Sequence, residues 1–205
     1  MPLFPAFLKL EGRRVLVVGG GTIAADKIPG LLNAGAKIRV VAPQINPELG
    51  EWVRNKQIDW CPKCFEGEDL HGAFLVIAAT AQRSVNQQVF QEADKRGLLC
   101  NAVDDIENCH FYYGSIVQRG DLQIAISTNG KSPALAQRLR KELEEQFGPE
   151  YAAWVEWLGV ARDMLRAQQN QPEQTKRLLH LLASEPSFER FLNQASRTDD
   201  SKGVA

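Results

Sequence analysis

The fold is decided by residues 14–41, RVLVVGGGTIAADKIPGLLNAGAKIRVV. An apolar, largely β-branched run at 15–18 predicts a short strand that is buried on both faces of a sheet. A glycine triplet follows at 19–21, and a helical pattern then continues until Gly35 ends it. Lys37 to Val41 forms a second apolar run. The stretch therefore predicts a strand–helix–strand unit with the pattern Gly-x-Gly-x-x-Ala at its first turn.

Each small residue of that pattern has a mechanical role. Gly19 permits the tight turn, Gly21 lets a pyrophosphate approach the backbone, and Ala24 keeps the helix close to the sheet. The helix N-terminus offers free N–H groups to phosphates. Because a strand precedes the pattern and a helix follows it, a dinucleotide site is indicated; the alternative is a glycine turn in an α/β protein without a nucleotide. The expected cofactor contacts in this turn are Gly19, Gly21, Thr22 and Ile23.

The residues that follow the second strand bear on the choice of cofactor. An acidic residue at this point would bind the ribose of NAD, and an arginine would favour the 2′-phosphate of NADP. The sequence has neither, because Arg39 lies inside the strand and the strand is followed by Ala42-Pro43-Gln44. Gln44 can hydrogen-bond a ribose. We therefore predict NAD as the cofactor, with contacts from Ala42, Pro43 and Gln44.

Composition and charge exclude several classes of protein. The chain has 205 residues, an apolar fraction of 44% and a formal net charge of −1, which suits a globular protein and argues against a nucleic-acid-binding one. The apolar N-terminal stretch is too short and too rich in proline for a signal peptide, and no run reaches the length that spans a membrane. We expect a cytoplasmic protein with reduced thiols. The spacing of its three histidines predicts no metal site.

Strands and helices alternate as far as residue 103, which predicts an α/β, Rossmann-like parallel sheet covered by helices on both faces. Ligands of such sheets bind at the carboxyl ends of the strands. This adds Thr80, Asn101 and Val103 to the expected cofactor contacts. Besides the first two strands, the predicted elements are strands at 58–61, 74–79 and 98–103 and helices at 47–55 and 85–96.

The pattern changes after the fifth strand. Apolar runs at 111–118 and 122–127 flank a tight-turn sequence and predict a β-hairpin rather than another strand–helix unit. A helix is predicted at 133–147, and the chain has helical periodicity from Glu150 onwards. The predicted divisions are a Rossmann domain at 1–113, a hairpin and helix region at 114–147, a helical domain at 148–195 and a disordered tail at 196–205.

Two adjacent carboxylates, Asp104 and Asp105, follow the fifth strand. Oxidation of a substrate by NAD removes a hydride and a proton, and a carboxylate at this edge of the sheet could accept the proton. The alternative is structural, since an Asp pair after a strand often caps a turn. Strand alternation does not decide which of the two faces a ligand.

The polar loop from Thr128 to Ser132 is the second candidate site. Ser132 and Pro133 have the pattern of an N-cap followed by proline at the first helical position, so the loop runs into a helix N-terminus, which attracts anions. Arginines at 119, 138 and 140 could add a local basic surface; the alternative is a solvated cap without a ligand. The candidate substrate-binding residues are Thr128, Asn129, Gly130, Lys131 and Ser132.

Four stretches resemble one known family, the stand-alone form of the siroheme synthase N-terminal domain. These members are precorrin-2 dehydrogenases, and some are also sirohydrochlorin ferrochelatases. The resemblance covers most of the chain up to about residue 145, in the order and spacing of the family. The stretches are VLVVGGGTIAADKIPGLLNAGAKIRVVAP, FLVIAAT followed by VNQQV, LLCNAVDD, and GDLQIAISTNGKSPALAQRLRKELE.

The resemblance implies NAD-dependent oxidation of precorrin-2, a tetrapyrrole, to sirohydrochlorin, with Asp104 as the catalytic residue. It also implies a homodimer built by the hairpin and helix region, and Fe²⁺ as co-substrate in members with chelatase activity. The sequence departs from the family at Ile106 and Gly114, where members often have proline. Two other functions fit the residues alone: an NAD-sensing regulatory module, and a dehydrogenase of another polyanionic substrate.

Overall fold

A computed structural model describes residues 3–168 and 171–200 of the chain. The chain folds into two compact units, Met1–Tyr113 and Gly114–Ala205. The first unit is a mixed α/β structure, and the second contains a hairpin followed by helices. Within the described residues, no helix has both the length and the apolar character that crossing a membrane requires.

The first unit contains one five-stranded parallel sheet. The strand order is β3-β2-β1-β4-β5, so the order reverses beside β1, where such sheets bind their ligands. This topology confirms the predicted Rossmann-like sheet. The strands are β1 Arg14–Val18, β2 Lys37–Val41, β3 Ile58–Cys61, β4 Leu75–Ala78 and β5 Leu99–Ala102, and the helices are α1 Thr22–Asn33, α2 Pro47–Arg54 and α3 Arg83–Lys95.

The core explains why β1 is apolar at four successive positions. Val15 and Val17 belong to an apolar cluster on one face of the sheet, and Leu16 and Val18 belong to a second cluster on the other face. All four are at most 2% exposed. Full burial of each such side chain contributes about 1.5–3 kcal/mol. The central strand therefore fixes the position of the glycine turn that follows it.

The hairpin begins later than the sequence predicts. Its first strand, β6, is Ser115–Arg119, and residues 108–111 instead fold back along β5. Asn101 and Cys109 form an antiparallel bridge, and the backbone N–H of His110 donates to the carbonyl of Cys100 at 2.8 Å. The edge of β5 would otherwise be unpaired, so the returning segment satisfies backbone groups that apolar periodicity does not reveal.

The second unit begins with β6 and β7, which pair as the predicted antiparallel hairpin. Val117 is fully buried, and an aromatic cluster forms farther along the chain. Trp154 is 4% exposed and stacks on Trp157 with ring centroids 5.1 Å apart; Phe191 lies 5.2 Å away. The elements are β6 Ser115–Arg119, β7 Leu122–Ile126, α4 Pro133–Gln146, α5 Glu150–Ala167, α6 Pro172–Leu182 and α7 Glu185–Asp200.

The C-terminal segment differs from the expected tail. The sequence predicts disorder at 196–205, whereas α7 continues to Asp200. Residues 201–205 of that prediction lie outside the described residues.

Candidate functional site

Two of the three glycines after β1 are required by close backbone packing. Gly19 has φ +126°, and its N–H donates to the carbonyl of Val41 at 3.0 Å. A Cβ on Gly19 would overlap the carbonyl of Ala79, and a Cβ on Gly20 would overlap that of Gln44. The turn therefore holds the carboxyl ends of neighbouring strands together, and the role of Gly20 was not foreseen from the sequence.

The third glycine faces open space. Apart from its chain neighbours, no described residue places an atom within 4 Å of the Cβ position of Gly21, which is the N-cap of α1 and has an extended backbone. The first turn of α1 has no acidic residue and no side-chain cap, and Thr22 and Ile23 are exposed. Its N–H groups and positive dipole end are therefore available to an anion. This open helix N-terminus fits the pyrophosphate of a dinucleotide.

The residues after β2 lie beside this turn. Ala42 is buried, and its carbonyl accepts a hydrogen bond from the indole N–H of Trp60 at 2.9 Å. Pro43 and Gln44 are exposed. Gln44 therefore has an exposed polar side chain, and no cation accompanies it within residues 42–44. Its contact with a ribose remains a prediction.

The turn after β4 depends on a residue that sequence analysis missed. Asn86 is 5% exposed, and its carboxamide oxygen accepts hydrogen bonds from the Thr80 backbone N–H at 3.0 Å and the Thr80 hydroxyl at 2.7 Å. Its amide nitrogen donates to the Thr80 carbonyl at 3.0 Å. The available signal was a polar residue on the apolar face of α3, which is otherwise marked by Val89 and Ala93.

Asn101 and Val103 have internal hydrogen bonds at the end of β5. Asn101 is 7% exposed, and its amide nitrogen donates to the Phe111 carbonyl at 2.8 Å and to the Cys109 sulfur at 3.3 Å. The N–H of Val103 donates to the Ala78 carbonyl at 2.9 Å. These bonds give both residues a structural role, and their expected contact with a cofactor remains a prediction.

The two adjacent carboxylates differ in burial and in hydrogen bonding. Asp104 is exposed and has φ +61°, in the left-handed region that Asp tolerates better than most residues. Asp105 is 7% exposed, and its Oδ2 accepts hydrogen bonds from Asn108 Nδ2 and Arg83 Nε, each at 3.0 Å. The hydrogen bonds from Asn108 and Arg83 hold the pKa of Asp105 below its ordinary value. Asp105 therefore organises the turn, and Asp104 presents its carboxylate to solvent.

The thiol of Cys109 closes the same turn. Its Sγ donates to the carbonyls of Ala102 at 3.1 Å and Asp105 at 3.2 Å. Burial raises the pKa of Cys109, and burial raises that of Cys100 to about 12, so both thiols are protonated at neutral pH.

The other two cysteines, Cys61 and Cys64, are not bonded to each other. Among the described residues, no group of three His, Cys, Asp or Glu side chains could hold a metal ion.

In the second unit, residues 128–132 form a tight turn that caps α4. Asn129 and Gly130 both have positive φ, and the N–H of Lys131 donates to the Thr128 carbonyl at 3.0 Å. As predicted, Ser132 is the N-cap, and its hydroxyl accepts from the Leu135 N–H at 3.3 Å. Lys131 is exposed. Substrate binding by this loop remains a prediction.

The three arginines expected to enlarge a basic surface have partners within their own unit. The guanidinium of Arg119 donates to the carbonyls of Phe147 at 2.8 Å and Glu144 at 3.1 Å, at the C-terminal end of α4. Arg138 pairs with Glu142 at 3.4 Å, and Arg140 pairs with Glu144. Two of the three charges are therefore paired with carboxylates, and the third donates to backbone carbonyls, so these arginines do not form the expected local basic surface.

The sheet order, the glycine turn and the uncapped N-terminus of α1 together define a Rossmann-type dinucleotide-binding protein. The model of a family described as putative NAD(P)-binding matches residues 6–115. A second model, described as sirohaem biosynthesis protein central, matches residues 119–146.

Comparison with individual proteins identifies the family. The chain is 42% identical to a siroheme synthase of Mannheimia succiniciproducens over 168 residues, and 43% identical to siroheme synthase 1 of Serratia proteamaculans over 171 residues. These matches cover 82% of this chain but 35% and 36% of the relatives, so the chain spans about a third of their length. The solved structure of SirC, a precorrin-2 dehydrogenase, is 31% identical with a TM-score of 0.78, covering 95% of this chain and 100% of SirC. The chain belongs to the siroheme synthase N-terminal family, which confirms the resemblance found in the sequence.

Proposed function

We propose that this chain is an NAD-dependent dehydrogenase that oxidises precorrin-2 to sirohydrochlorin in siroheme biosynthesis, with Asp104 as the general base. Family membership and the similarity to SirC support the reaction. The observation that carries the base assignment is the difference between the two carboxylates. Asp105 is buried and paired, whereas Asp104 is exposed at the carboxyl end of the sheet. We also propose a cytoplasmic location, where the four free cysteines would stay reduced.

Different residues of the first unit are assigned to cofactor binding and to proton transfer. When bound, NAD supplies the acceptor for the hydride that leaves precorrin-2. Gly21 and the N-terminus of α1 would hold the pyrophosphate, and Gln44 would hydrogen-bond a ribose. The carboxylate of Asp104 accepts the proton that leaves with the hydride, so the products are sirohydrochlorin, NADH and a proton on Asp104 that passes to water.

The loop at 128–132 is assigned to the substrate. Precorrin-2 carries many carboxylates, and Lys131 is an exposed cation on a loop that ends at the N-terminus of α4. A charged ammonium and a helix N-terminus both favour an anionic group. Replacing Lys131 with Met should raise the KM for precorrin-2 and leave NAD affinity unchanged.

The protein is further assigned as a homodimer that uses its hairpin region. Among the described residues this sheet has two strands, so β6 and β7 each leave one edge without a neighbouring strand. Ile116 on β6 is 47% exposed and Leu135 on α4 is 39% exposed, which leaves apolar surface to cover. Light scattering at micromolar concentration should give the mass of a dimer; a monomer would contradict this assignment.

Anaerobic incubation with precorrin-2 and NAD tests the reaction. NADH absorbance and the visible spectrum of sirohydrochlorin should appear together, whereas NAD binding without NADH formation would indicate a sensing module. Subsequent addition of Fe²⁺ tests a ferrochelatase activity. Iron insertion displaces protons from the inner nitrogens of the macrocycle, and Asp104 could accept them as well.

Asp104→Asn tests the base. The amide preserves the shape and tolerates φ +61°, but it cannot accept a proton. The oxidation rate should fall by about 10²–10⁴-fold with little change in NAD affinity. Asp105→Asn, which keeps an oxygen acceptor for Arg83 and Asn108, is the comparison and should lose less activity than Asp104→Asn. Equal, mild losses in the two variants would show that neither carboxylate is the base.

A further inference from the structure

Asp104 occupies a turn with an unusual backbone. The turn is closed by a hydrogen bond from the Asp105 N–H to the Ala102 carbonyl at 3.2 Å, and Asp104 is its third residue. The φ of Asp104 is +61°, one of three positive values among the non-glycine residues that the structure describes. Such a conformation persists only where the surrounding contacts hold it.

The carboxylate of Asp105 connects the turn after β5 to the helix α3. Its Oδ2 accepts from Nε of Arg83, the first residue of α3, and also from Asn108 Nδ2. The N–H of Asn108 returns a hydrogen bond to the Asp105 carbonyl at 3.0 Å. Because α3 follows β4, this ion pair fastens the turn after β5 to the helix that follows the neighbouring strand.

We infer that Arg83 and Asp105 are positioning residues for the reaction, because their ion pair holds the turn that presents the Asp104 carboxylate at the edge of the sheet. The inference rests on the proposed role of Asp104. The side chain of Arg83 is 80% exposed and that of Asp105 is 6% exposed, so the ion pair joins a buried carboxylate to a cation at the surface. A displacement of about 1 Å in a reacting group can reduce a rate by about a hundredfold.

A direct role for Arg83 in binding the substrate makes a different prediction. Its exposed guanidinium could contact a carboxylate of precorrin-2, in which case removing it would raise KM whether or not the base is present. A positioning residue instead acts through Asp104, so its removal should have no further effect once the base is gone. The two roles therefore separate in a double-mutant cycle.

The experiment combines Arg83→Met with Asp104→Asn and measures kcat, KM and NAD affinity for each protein. Arg83→Met alone should lower kcat by about ten- to a hundredfold, with KM and NAD affinity within about twofold of the parent. In the Asp104→Asn background the same change should alter kcat by less than about twofold. Arg83→Lys, which keeps the charge, should recover part of the loss. Lys95→Met is the matched control, because it removes an exposed cation paired with Glu92 on the same helix.

Amide hydrogen exchange provides a readout that does not depend on activity. The N–H groups of Asp105 and Asn108 should exchange faster in Arg83→Met than in the parent or in Lys95→Met. Unchanged exchange would overturn the inference, as would a kcat loss of equal size in both backgrounds or a rise in KM alone. A mild loss in Asp104→Asn itself would overturn the proposed base instead, and hydrogen exchange would then decide whether the ion pair holds the turn.

Discussion

The carboxamide oxygen of Asn86 accepts two hydrogen bonds from Thr80, one from the backbone N–H at 3.0 Å and one from the hydroxyl at 2.7 Å. A buried side chain of α3 thus shapes the turn after β4. This turn also packs against the glycine turn after β1, because the Ala79 carbonyl leaves no room for a side chain on Gly19. The shape of the cofactor site therefore depends on a residue that need not contact the cofactor.

Replacing Asn86 with Ala should lower the free energy of unfolding by about 1–3 kcal/mol, because the buried carboxamide and its hydrogen bonds to half-buried Thr80 are lost. NAD affinity should fall as well, since the turn at the end of β4 loses its support. Denaturant unfolding and NAD titration measure the two effects. Gln87→Ala, an exposed neighbour on the same helix, is the control. Equal behaviour of the two variants would show that Asn86 has no special role.

Local sequence patterns were sufficient to predict the bounds of two strands and one helix cap. The predicted bounds of β2 and β3 agree with the structure, because short apolar runs flanked by Gly, Pro and Asn determine them. The Ser132 cap of α4 was also predicted, since its Ser-Pro signal is local. Patterns of this kind were sufficient for the architecture of the sheet.

The sequence could not reveal contacts between distant side chains. The pairing of Arg83 with Asp105 spans 22 residues, and that of Asn101 with the Phe111 carbonyl spans 10. Neither leaves a periodic signal, because the first depends on the pairing of β4 with β5 and the second on the return of residues 108–111 along β5. For the same reason, the alternation of β5 could not distinguish Asp104 from Asp105, whereas burial in the folded chain does.

The second prediction contrasts two adjacent glycines. Gly21→Val should leave stability nearly unchanged and abolish NAD binding, because its side chain would enter the open space that fits the pyrophosphate. Gly20→Val should destabilise the protein, because its Cβ would overlap the Gln44 carbonyl. Thermal unfolding and NAD titration separate the two outcomes. Normal NAD binding by Gly21→Val would mean that the pyrophosphate lies elsewhere.

The third prediction concerns cofactor preference. NAD should bind more tightly than NADP, because residues 42–44 supply no cation for a 2′-phosphate and Gln44 is neutral and exposed. Gln44→Arg should narrow or reverse the preference, whereas Gln44→Met should weaken both cofactors alike. Titration of each protein with NAD and NADP gives the ratios. Tighter binding of NADP by the unmodified protein would contradict the prediction.

The last prediction links Asp105 to acid stability. Its pKa is lowered in the folded protein by hydrogen bonds from Asn108 and Arg83. A carboxyl whose folded pKa is depressed contributes stability at pH values above its unfolded pKa, about 3.9, and loses it as the pH falls through the folded pKa. Asp105→Asn should therefore be less stable than the parent at pH 7. The difference between the two proteins should shrink progressively as the pH falls below about 4.

Urea unfolding of both proteins at a series of pH values measures this difference. Asp163→Asn, which removes an exposed carboxylate on α5, is the control and should give a small difference that varies little with pH. A difference for Asp105→Asn that stayed constant down to about pH 2 would mean that the lost stability comes from shape rather than charge. In that case the carboxylate of Asp105 would be replaceable by any acceptor of the same size, and the charge of Arg83 would not be needed to hold the turn.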